Sequence, residues 1–235
     1  MLVVVASRSD AAARALCERA PSGTANLLSW RDLSTTGWRY YSDPDDGRDG
    51  AVIGGRPTST AEISAVVTRC PAVPPHELGH IVPADRTYVA AEMTALLVAW
   101  LTRLRCPVLN RPRDGCLCGP RWPPERWTML AASLGLHAVP VSRRAVPGLA
   151  PSASRPAAPP GFELNTVTVV GPHAHASDDT PEAVADAAVT LARAAGVTLL
   201  KTEFAVRGTE YWFLGAGLDV DLAAAPVADA LLAAA

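Results

Sequence analysis

Residues 76–80 read HELGH and fit the pattern H-E-x-x-H, in which two histidines hold zinc and the glutamate acts as a general base. This chemistry requires a helix, because a helix brings His76 and His80 onto one face with Glu77 beside them. The sequence on either side of the motif decides whether that helix can form.

The neighbours of the motif do not favour such a helix. PAVPP at 71–75 precedes it, and proline disfavours helix at the residue before it. Pro83 then limits any helix to about two turns. No histidine follows at the spacing of a third ligand, and Glu92 lies in the next predicted helix. We expect a short loop helix in which Leu78 and Ile81 pack inward, without zinc; a zinc hydrolase built on the motif is the alternative.

A second polar cluster is GPHAHASDD at 171–179. His173 and His175 alternate at the end of a predicted strand, so both rings face one way, and Asp178 and Asp179 follow. The cluster could form half of a metal site or a loop that faces phosphate at a helix N-terminus. We favour a solvated strand-to-helix loop with capping acids, the usual composition of such loops.

The five cysteines are odd in number and irregularly spaced, which argues against a secreted disulfide framework. CLC at 116–118 places two thiols too close for an easy disulfide, and one such pair cannot hold a tetrahedral zinc alone. Cys70 and Cys106 fall in predicted strands and are expected to pack as small hydrophobic residues. We expect structural cysteines in a cytoplasmic protein.

Composition indicates a globular chain of 235 residues, with 49% hydrophobic residues and a formal charge of −2. Lys201 is the only lysine, and the charged fraction of 19% provides no basic surface for nucleic acid. No apolar stretch approaches the roughly 18 residues of a membrane span. MLVVVASRSD at the start has no basic segment before its apolar run, so it predicts a first strand and not a signal peptide.

The elements that must position these residues alternate between strands and helices in the first half. LVVVAS at 2–7 predicts a buried strand, and SDAAARALCERA a helix capped by Ser or Asp. The longest predicted helix is 86–104, with an apolar stripe at three- and four-residue spacing. CPVLN at 106–110 predicts a strand, and PPERWTMLAASLGL a helix bounded by proline and glycine.

The second half predicts a mixed or antiparallel sheet. Residues 143–161 are rich in Pro, Ala and Ser without periodicity, which is typical of a linker. VTLLKTEFAV and TEYWFLGAG predict a hairpin around an Arg-Gly turn. The remaining predicted elements are a strand at TVTVVGP, a helix at TPEAVADAAVTLARAAG and a helix at PVADALLAAA.

Parts of the sequence resemble the ATP-grasp ligases. In that family a pre-grasp domain ends in a helix, a strand and an Asn-containing turn, and TYVAAEMTALLVAWLTRLRCPVLNRP is similar, with VLNRP as the turn. WTMLAASLGLHAVP resembles the segment that follows in the family. AGVTLLKTEFAVRGTEYWFLGAGLDVDL resembles the family's end, where two strands carry magnesium ligands. Together these parts cover about half of the chain.

The resemblance implies an α/β, ATP-grasp-like fold of two domains. The first would be a pre-ATP-grasp-like β/α domain with its following helix at 1–142. The linker at 143–161 would lead to a reduced grasp-like domain with a mixed or antiparallel sheet at 162–235. Only this linker stands where the family has the lid that carries one of its phosphate-binding cations.

The resemblance also implies a nucleotide site for ATP and Mg²⁺. Glu203 falls at the family's first acidic magnesium ligand, while Gly215 and Gly217 occupy the positions of the metal-binding Glu and Asn. Glycine has no side-chain oxygen, so the implied metal would be held weakly. The side chains implied to contact the nucleotide are Arg121, Arg126, Lys201 and Glu203.

These departures imply a degenerate site, because phosphoryl chemistry depends on positioning and charge neutralisation. We expect a binding or accessory component of a biosynthetic or peptide-modifying system, with a protein or peptide partner and little or no ligase activity. One alternative is an active ATP-dependent carboxylate–amine ligase, and another is the zinc hydrolase. A third is an interaction protein whose helix 86–104 docks a partner or a second copy of the chain.

Overall fold

The structure is a computed structural model that describes residues 1–41, 48–144, 152–154 and 156–234. It divides the chain into two compact units, Met1–Arg121 with Asp221–Ala235, and Trp122–Val220. The predicted α/β class is confirmed, with a parallel sheet in the first unit and an antiparallel sheet in the second. Over the described ranges, no helix has the length and apolar character needed to cross a membrane.

The first unit contains a sheet of parallel strands and a separate antiparallel hairpin. Up to residue 121 its strands and α-helices are β1 (Leu2–Val5), α1 (Ala11–Arg19), β2 (Ala25–Leu28), β3 (Gly50–Ile53), β4 (Arg56–Ser59), β5 (Ala65–Thr68), α2 (Arg86–Arg103) and β6 (Val108–Leu109). The parallel sheet has the order β2-β1-β5-β6, and β3 pairs with β4. Every residue of β1 and β5 is buried, which explains why these strands are continuous apolar runs.

Helices α1 and α2 form where the sequence predicted them. α1 follows Asp10, whose carboxylate accepts a hydrogen bond of 2.9 Å from the Ala13 N–H and so caps the helix. α2 buries the predicted stripe in the core of the unit, including Met93, Leu97 and Trp100. Because the stripe is core, it is not available as the docking surface that the interaction-protein hypothesis needed.

The second unit is built on the antiparallel sheet. Its elements are α3 (Pro124–Ser133), β7 (Ser142–Arg144), β8 (Ser152–Ser154), β9 (Glu163–Val170), β10 (His173–His175), α4 (Glu182–Ala195), β11 (Leu199–Arg207) and β12 (Glu210–Gly217). The sheet order is β10-β9-β11-β12. The predicted hairpin is β11–β12, and Gly208 in its turn has φ of 59°. A closing helix, α5 (Ala225–Ala233), belongs to the first unit.

The predicted linker at 143–161 is only partly described. Strands β7 and β8 pair antiparallel within it, whereas residues 145–151 and 155 lie outside the described residues. The second compact unit begins at Trp122 and ends at Val220. The stretch that the sequence predicted as the linker therefore lies inside this unit and not at its boundary.

One face of the antiparallel sheet is covered by α3 and α4. This helix-covered face carries a core to which β11 contributes Leu200 and Phe204, β12 contributes Phe213, and α3 contributes Trp127. The rings of Phe204 and Phe213 meet edge to face, 5.7 Å apart. Successive side chains of a strand alternate between faces, so Lys201 and Glu203 project from the other face.

Candidate functional site

Lys201 and Glu203 lie two positions apart on β11 and form an ion pair. Lys201 Nζ is 3.3 Å from Glu203 Oε1, and the two side chains are 38% and 12% exposed. On β12, Gly217 pairs with Lys201 and Gly215 pairs with Glu203. We call this side of the sheet the ion-pair face. Two of the predicted site residues are thus brought together, opposite two residues that have no side chain.

The two glycines are not required by the backbone. Neither has a positive φ, and a Cβ placed at Gly215 or Gly217 would meet no other atom within 4 Å. A residue with a Cβ would therefore be accepted at both positions without backbone strain or a clash at that atom. What the glycines determine is that β12 contributes no side-chain oxygen at the two positions across from Lys201 and Glu203.

The two histidines of β10 also lie on the ion-pair face. His175 pairs with Thr168 of β9, which in turn pairs with Lys201, so these three side chains form a row across the sheet. The prediction that His173 and His175 face one way is confirmed by this register. His175 Nε2 is buried without a hydrogen-bond partner in the described residues. Burial, followed by the charge of His173, lowers the pKa of His175 below its usual value.

The loop after β10 is solvated, as we favoured, but its acids do not cap α4: the N-cap position is Pro181, and no side chain accepts a capping hydrogen bond there. Asp178 and Asp179 are exposed in the turn before α4. The Thr180 hydroxyl donates a 2.6 Å hydrogen bond to Asn165 Oδ1 and ties the loop to β9. In the described part of the chain, no three His, Cys, Asp or Glu side chains are grouped closely enough to hold a metal ion.

The two predicted arginines lie elsewhere. Arg126 belongs to α3, which packs on the helix-covered face, and its guanidinium stacks 4.1 Å from the ring of Trp122. Arg121 is an exposed residue at the end of the first unit's long segment. Their roles in phosphate binding stay predictions.

The HELGH motif does not form the helix that a zinc protease needs. Residues Pro75–Glu77 make a single 3₁₀ turn, and Leu78, which ends it, is fully buried. Ile81 packs against the same core, so the predicted short loop helix is confirmed. The backbone leaves the α-helical path at Leu78, so His76 and His80 are not presented as an i, i+4 pair of ligands.

Glu77 and His80 instead make hydrogen bonds within the first unit. Glu77 Oε2 accepts from the Ser7 hydroxyl at 2.5 Å and from the Trp30 indole N–H at 3.0 Å. His80 Nε2 shares a 2.9 Å hydrogen bond with the Ser34 hydroxyl. Neither Ser7 nor Trp30 was predicted from the sequence. Their signal was position, because Ser7 lies two residues after β1 and Trp30 two residues after β2.

The cysteines are all free thiols. Cys116 Sγ and Cys118 Sγ are 3.6 Å apart. Burial and the neighbouring Cys116 raise the pKa of Cys118 to about 12, so this thiol is protonated at neutral pH. A protonated, buried thiol is a poor nucleophile and metal ligand, which fits the structural role expected of it.

Solved structures of ATP-grasp ligases resemble this chain over almost its whole length. The ATP-grasp ligase PsnB, complexed with a phosphomimetic variant of a minimal precursor, Mg and ADP, is 16% identical with a TM-score of 0.64, over 99% of this chain and 98% of that chain. The macrocyclase MdnC from Microcystis aeruginosa MRC, bound with precursor peptide MdnA, is 14% identical with a TM-score of 0.62, over 100% and 98%.

A third similar structure is a RiPP-associated ATP-grasp ligase from Chryseobacterium gregarium in complex with ADP and a leader and core peptide. It is 11% identical with a TM-score of 0.61, over 100% of this chain and 97% of that chain. No protein-family model and no curated protein matches the sequence. The structural likeness establishes an ATP-grasp-like fold for the chain.

Proposed function

We propose that this chain is an ATP-grasp-fold component of a peptide-modifying system that binds a nucleotide phosphate on the ion-pair face and has little or no ligase activity. The observation that carries the proposal is the placement of Gly215 and Gly217 directly across from Glu203 and Lys201. The peptide context is supported by the similar structures, which are complexes with precursor peptides or with leader and core peptides.

The side chains of the ion-pair face do not fit Mg²⁺. This ion takes octahedral oxygen ligands, usually one or two carboxylates together with substrate phosphates and water. Among the described residues, the strand register places Glu203 as the one carboxylate directly across from these glycines, and the ammonium of Lys201 lies 3.3 Å from it. A cation beside that carboxylate would be repelled by the ammonium.

Lys201 can supply the positive charge that a phosphate needs. A lysine ammonium is a compact point charge that binds phosphate well. Its side chain is 38% exposed, so it can contact a ligand while it remains paired with Glu203. The open space above Gly217, its partner on β12, leaves room for the ligand beside the ammonium.

This arrangement favours binding over catalysis. Phosphoryl transfer is accelerated by cations that neutralise charge developing on the transferred group. A single lysine that also neutralises Glu203 provides less charge than a pair of metal ions. Ligation by this chain should therefore be slow even where the nucleotide binds.

The test is calorimetric titration of the full chain with ADP and ATP, in Mg²⁺ and in excess EDTA. We expect equal affinity in both buffers, and a loss of about tenfold or more in Lys201→Met, since a charged hydrogen bond is removed. Arg193→Gln, which removes an exposed arginine of α4 on the helix-covered side, should bind as the wild type does. Binding that requires Mg²⁺, or that survives Lys201→Met, contradicts the proposal.

A rebuilt variant tests the role of the glycines. Gly215→Glu and Gly217→Asn, combined with Lys201→Ala, restore the oxygen ligands and remove the ammonium. Because both glycine positions are open, we expect this variant to fold and to bind nucleotide only with Mg²⁺. If wild-type protein hydrolyses ATP and Glu203→Gln abolishes that activity, the expectation of an inactive site is wrong.

A further inference from the structure

The HELGH segment forms one wall of a cavity in the first unit. The cavity has a volume of about 510 Å³ and is lined by Arg8, Ser29, Trp30, Arg31, Glu77 and His80. We call it the arginine cavity. Arg8 follows β1 and Arg31 follows β2, and these are adjacent parallel strands. The carboxyl ends of parallel strands are where open α/β sheets bind ligands.

A chain of hydrogen bonds from the core orients Arg8. Its Nε donates to Ser29 Oγ at 3.1 Å, and Ser29 Oγ donates to Asp32 Oδ2 at 2.8 Å. Asp32 is only 1% exposed and also accepts from the backbone N–H groups of Ser29 and Gly55, at 2.8 Å each. Because this network uses only Nε, the two terminal nitrogens of Arg8 stay available to a ligand.

The arginines make this cavity positive. Within the residues that the structure describes, the guanidinium of Arg31 has no hydrogen-bond or ion-pair partner. Burial lowers the pKa of His80, and the charges of Arg31, Arg8 and Arg86 lower it further, so His80 is neutral at physiological pH. Two guanidinium groups that line one cavity are suited to a carboxylate.

Glu77 adds a second requirement for the ligand. Its Oε2 is held by Ser7 and Trp30, which fixes the carboxylate in the wall of the arginine cavity. Both of those donors are neutral, so the negative charge is not cancelled by a protein cation in that contact. A carboxylate in this position repels a second anion and attracts a protonated amine.

We propose that the arginine cavity binds a small amino acid, with its carboxylate at Arg8 and Arg31 and its amino group at Glu77. The net charge of the three groups, two guanidinium ions and one carboxylate, suits a ligand that carries both signs. The volume of about 510 Å³ is sufficient for a small amino acid. This site is independent of the nucleotide proposed for the ion-pair face, so either proposal can fail without the other.

The test titrates the full chain separately with each standard amino acid, and with acetate, ethylamine and inorganic phosphate. We expect at least one amino acid to bind about tenfold more tightly than acetate or ethylamine, because both charged contacts are then made. Arg8→Gln and Arg31→Gln should each weaken that binding about tenfold or more. Arg14→Gln removes an exposed arginine of α1 outside the cavity and should change nothing.

The variant Glu77→Gln distinguishes the amine contact from the carboxylate contact. It should fold, since the glutamine side chain keeps an oxygen that can accept the hydrogen bond from Trp30. This variant should bind the amino acid less tightly than the wild type does, but should bind acetate with unchanged affinity. If acetate or phosphate binds wild-type protein as tightly as the best amino acid, the assignment is wrong. It is equally wrong if no probe binds, or if both arginine variants bind as the wild type does.

Discussion

The two candidate sites of this protein hold their charged side chains in different ways. At the arginine cavity of the first unit, the carboxylates of Asp32 and Glu77 accept hydrogen bonds from neutral donors, and we propose that the arginines beside them bind a ligand. In the second unit, the lysine and the glutamate of the ion-pair face contact each other across from two glycines. A cation that is already paired binds a ligand less strongly than one that a neutral network orients.

The difference follows from the two kinds of sheet. Parallel strands bring the ends of β1 and β2 to one edge, where loops can supply several side chains to one cavity. In the antiparallel sheet a site must be built from side chains directly opposite each other, and a glycine in either strand removes half of a pair. Two glycines in place of larger residues therefore affect a site on the antiparallel sheet more than they would affect a site formed by the loops of the first unit.

The largest predicted effect compares the two cores. Trp100→Ala in the first unit and Phe204→Ala in the second should each lower the free energy of unfolding by about 3–5 kcal/mol, since both rings are enclosed. Urea denaturation followed by circular dichroism measures this. Met129→Ala, at a side chain that is 72% exposed, is the control. Wild-type stability of Trp100→Ala would mean that the stripe of α2 is not core.

A smaller effect concerns the cap of α1. Asp10 caps the helix and pairs with Arg69 at 3.0 Å, so Asp10→Ala should cost about 1–2 kcal/mol. Burial opposes ionisation, but the hydrogen bonds from Ala13 and Arg69 together outweigh it and lower the pKa of Asp10. Because the folded pKa is below the unfolded value, the stabilisation is complete above about pH 4 and is lost as the pH falls through the folded pKa. The urea denaturation midpoints of the wild type and of Asp10→Ala should differ at neutral pH and converge only at acidic pH.

The ion pair of the second unit should contribute less. Lys201→Met should lower the free energy of unfolding by about 1 kcal/mol, because the lysine is partly exposed and water screens the pair. A double-mutant cycle with Glu203→Gln isolates the interaction from the other effects of each change. A coupling energy near zero would show that the two side chains do not interact. Lys201 could then not be described as a cation that is already paired.

The smallest effects concern His80 in the first unit and His175 in the second. The pKa of each is lowered mainly by burial and to a lesser extent by neighbouring charge. Arg31→Gln should raise the pKa of His80, and His173→Asn should raise that of His175. Proton NMR titration of the rings measures both. Since each folded pKa lies below about 6.5, the two histidines make the fold more stable above that pH and less stable as the pH falls through the folded pKa. If the pKa of His80 is the same in Arg31→Gln as in the wild type, the charge of Arg31 does not act on His80.

The strands and helices were largely predictable from the sequence, because their signals are local. The spacing of Met93, Leu97 and Trp100 predicted both α2 and the face that it buries. Gly196, in the left-handed conformation, ends α4 where the sequence predicted the helix to end. Pro75 and Pro83 correctly argued against a zinc helix at HELGH, since proline acts on the backbone beside it.

The sites were less predictable, because they depend on contacts between residues far apart in the chain. Glu203 and Gly215 were both singled out, but only the register of β11 and β12 shows that they are cross-strand partners. Glu77 was considered only as a base for zinc. Its partners Ser7 and Trp30 lie 70 and 47 positions away, at strand ends that meet only in the folded sheet.

The sequence by itself therefore determined the α/β class, the principal helices and the hairpin, since backbone preference and periodicity act over a few residues. The tertiary structure alone decided that Lys201 neutralises Glu203, and that HELGH closes a cavity between two arginines. Strand register and the adjacency of strand ends are set by packing over the whole unit, and no local pattern encodes them.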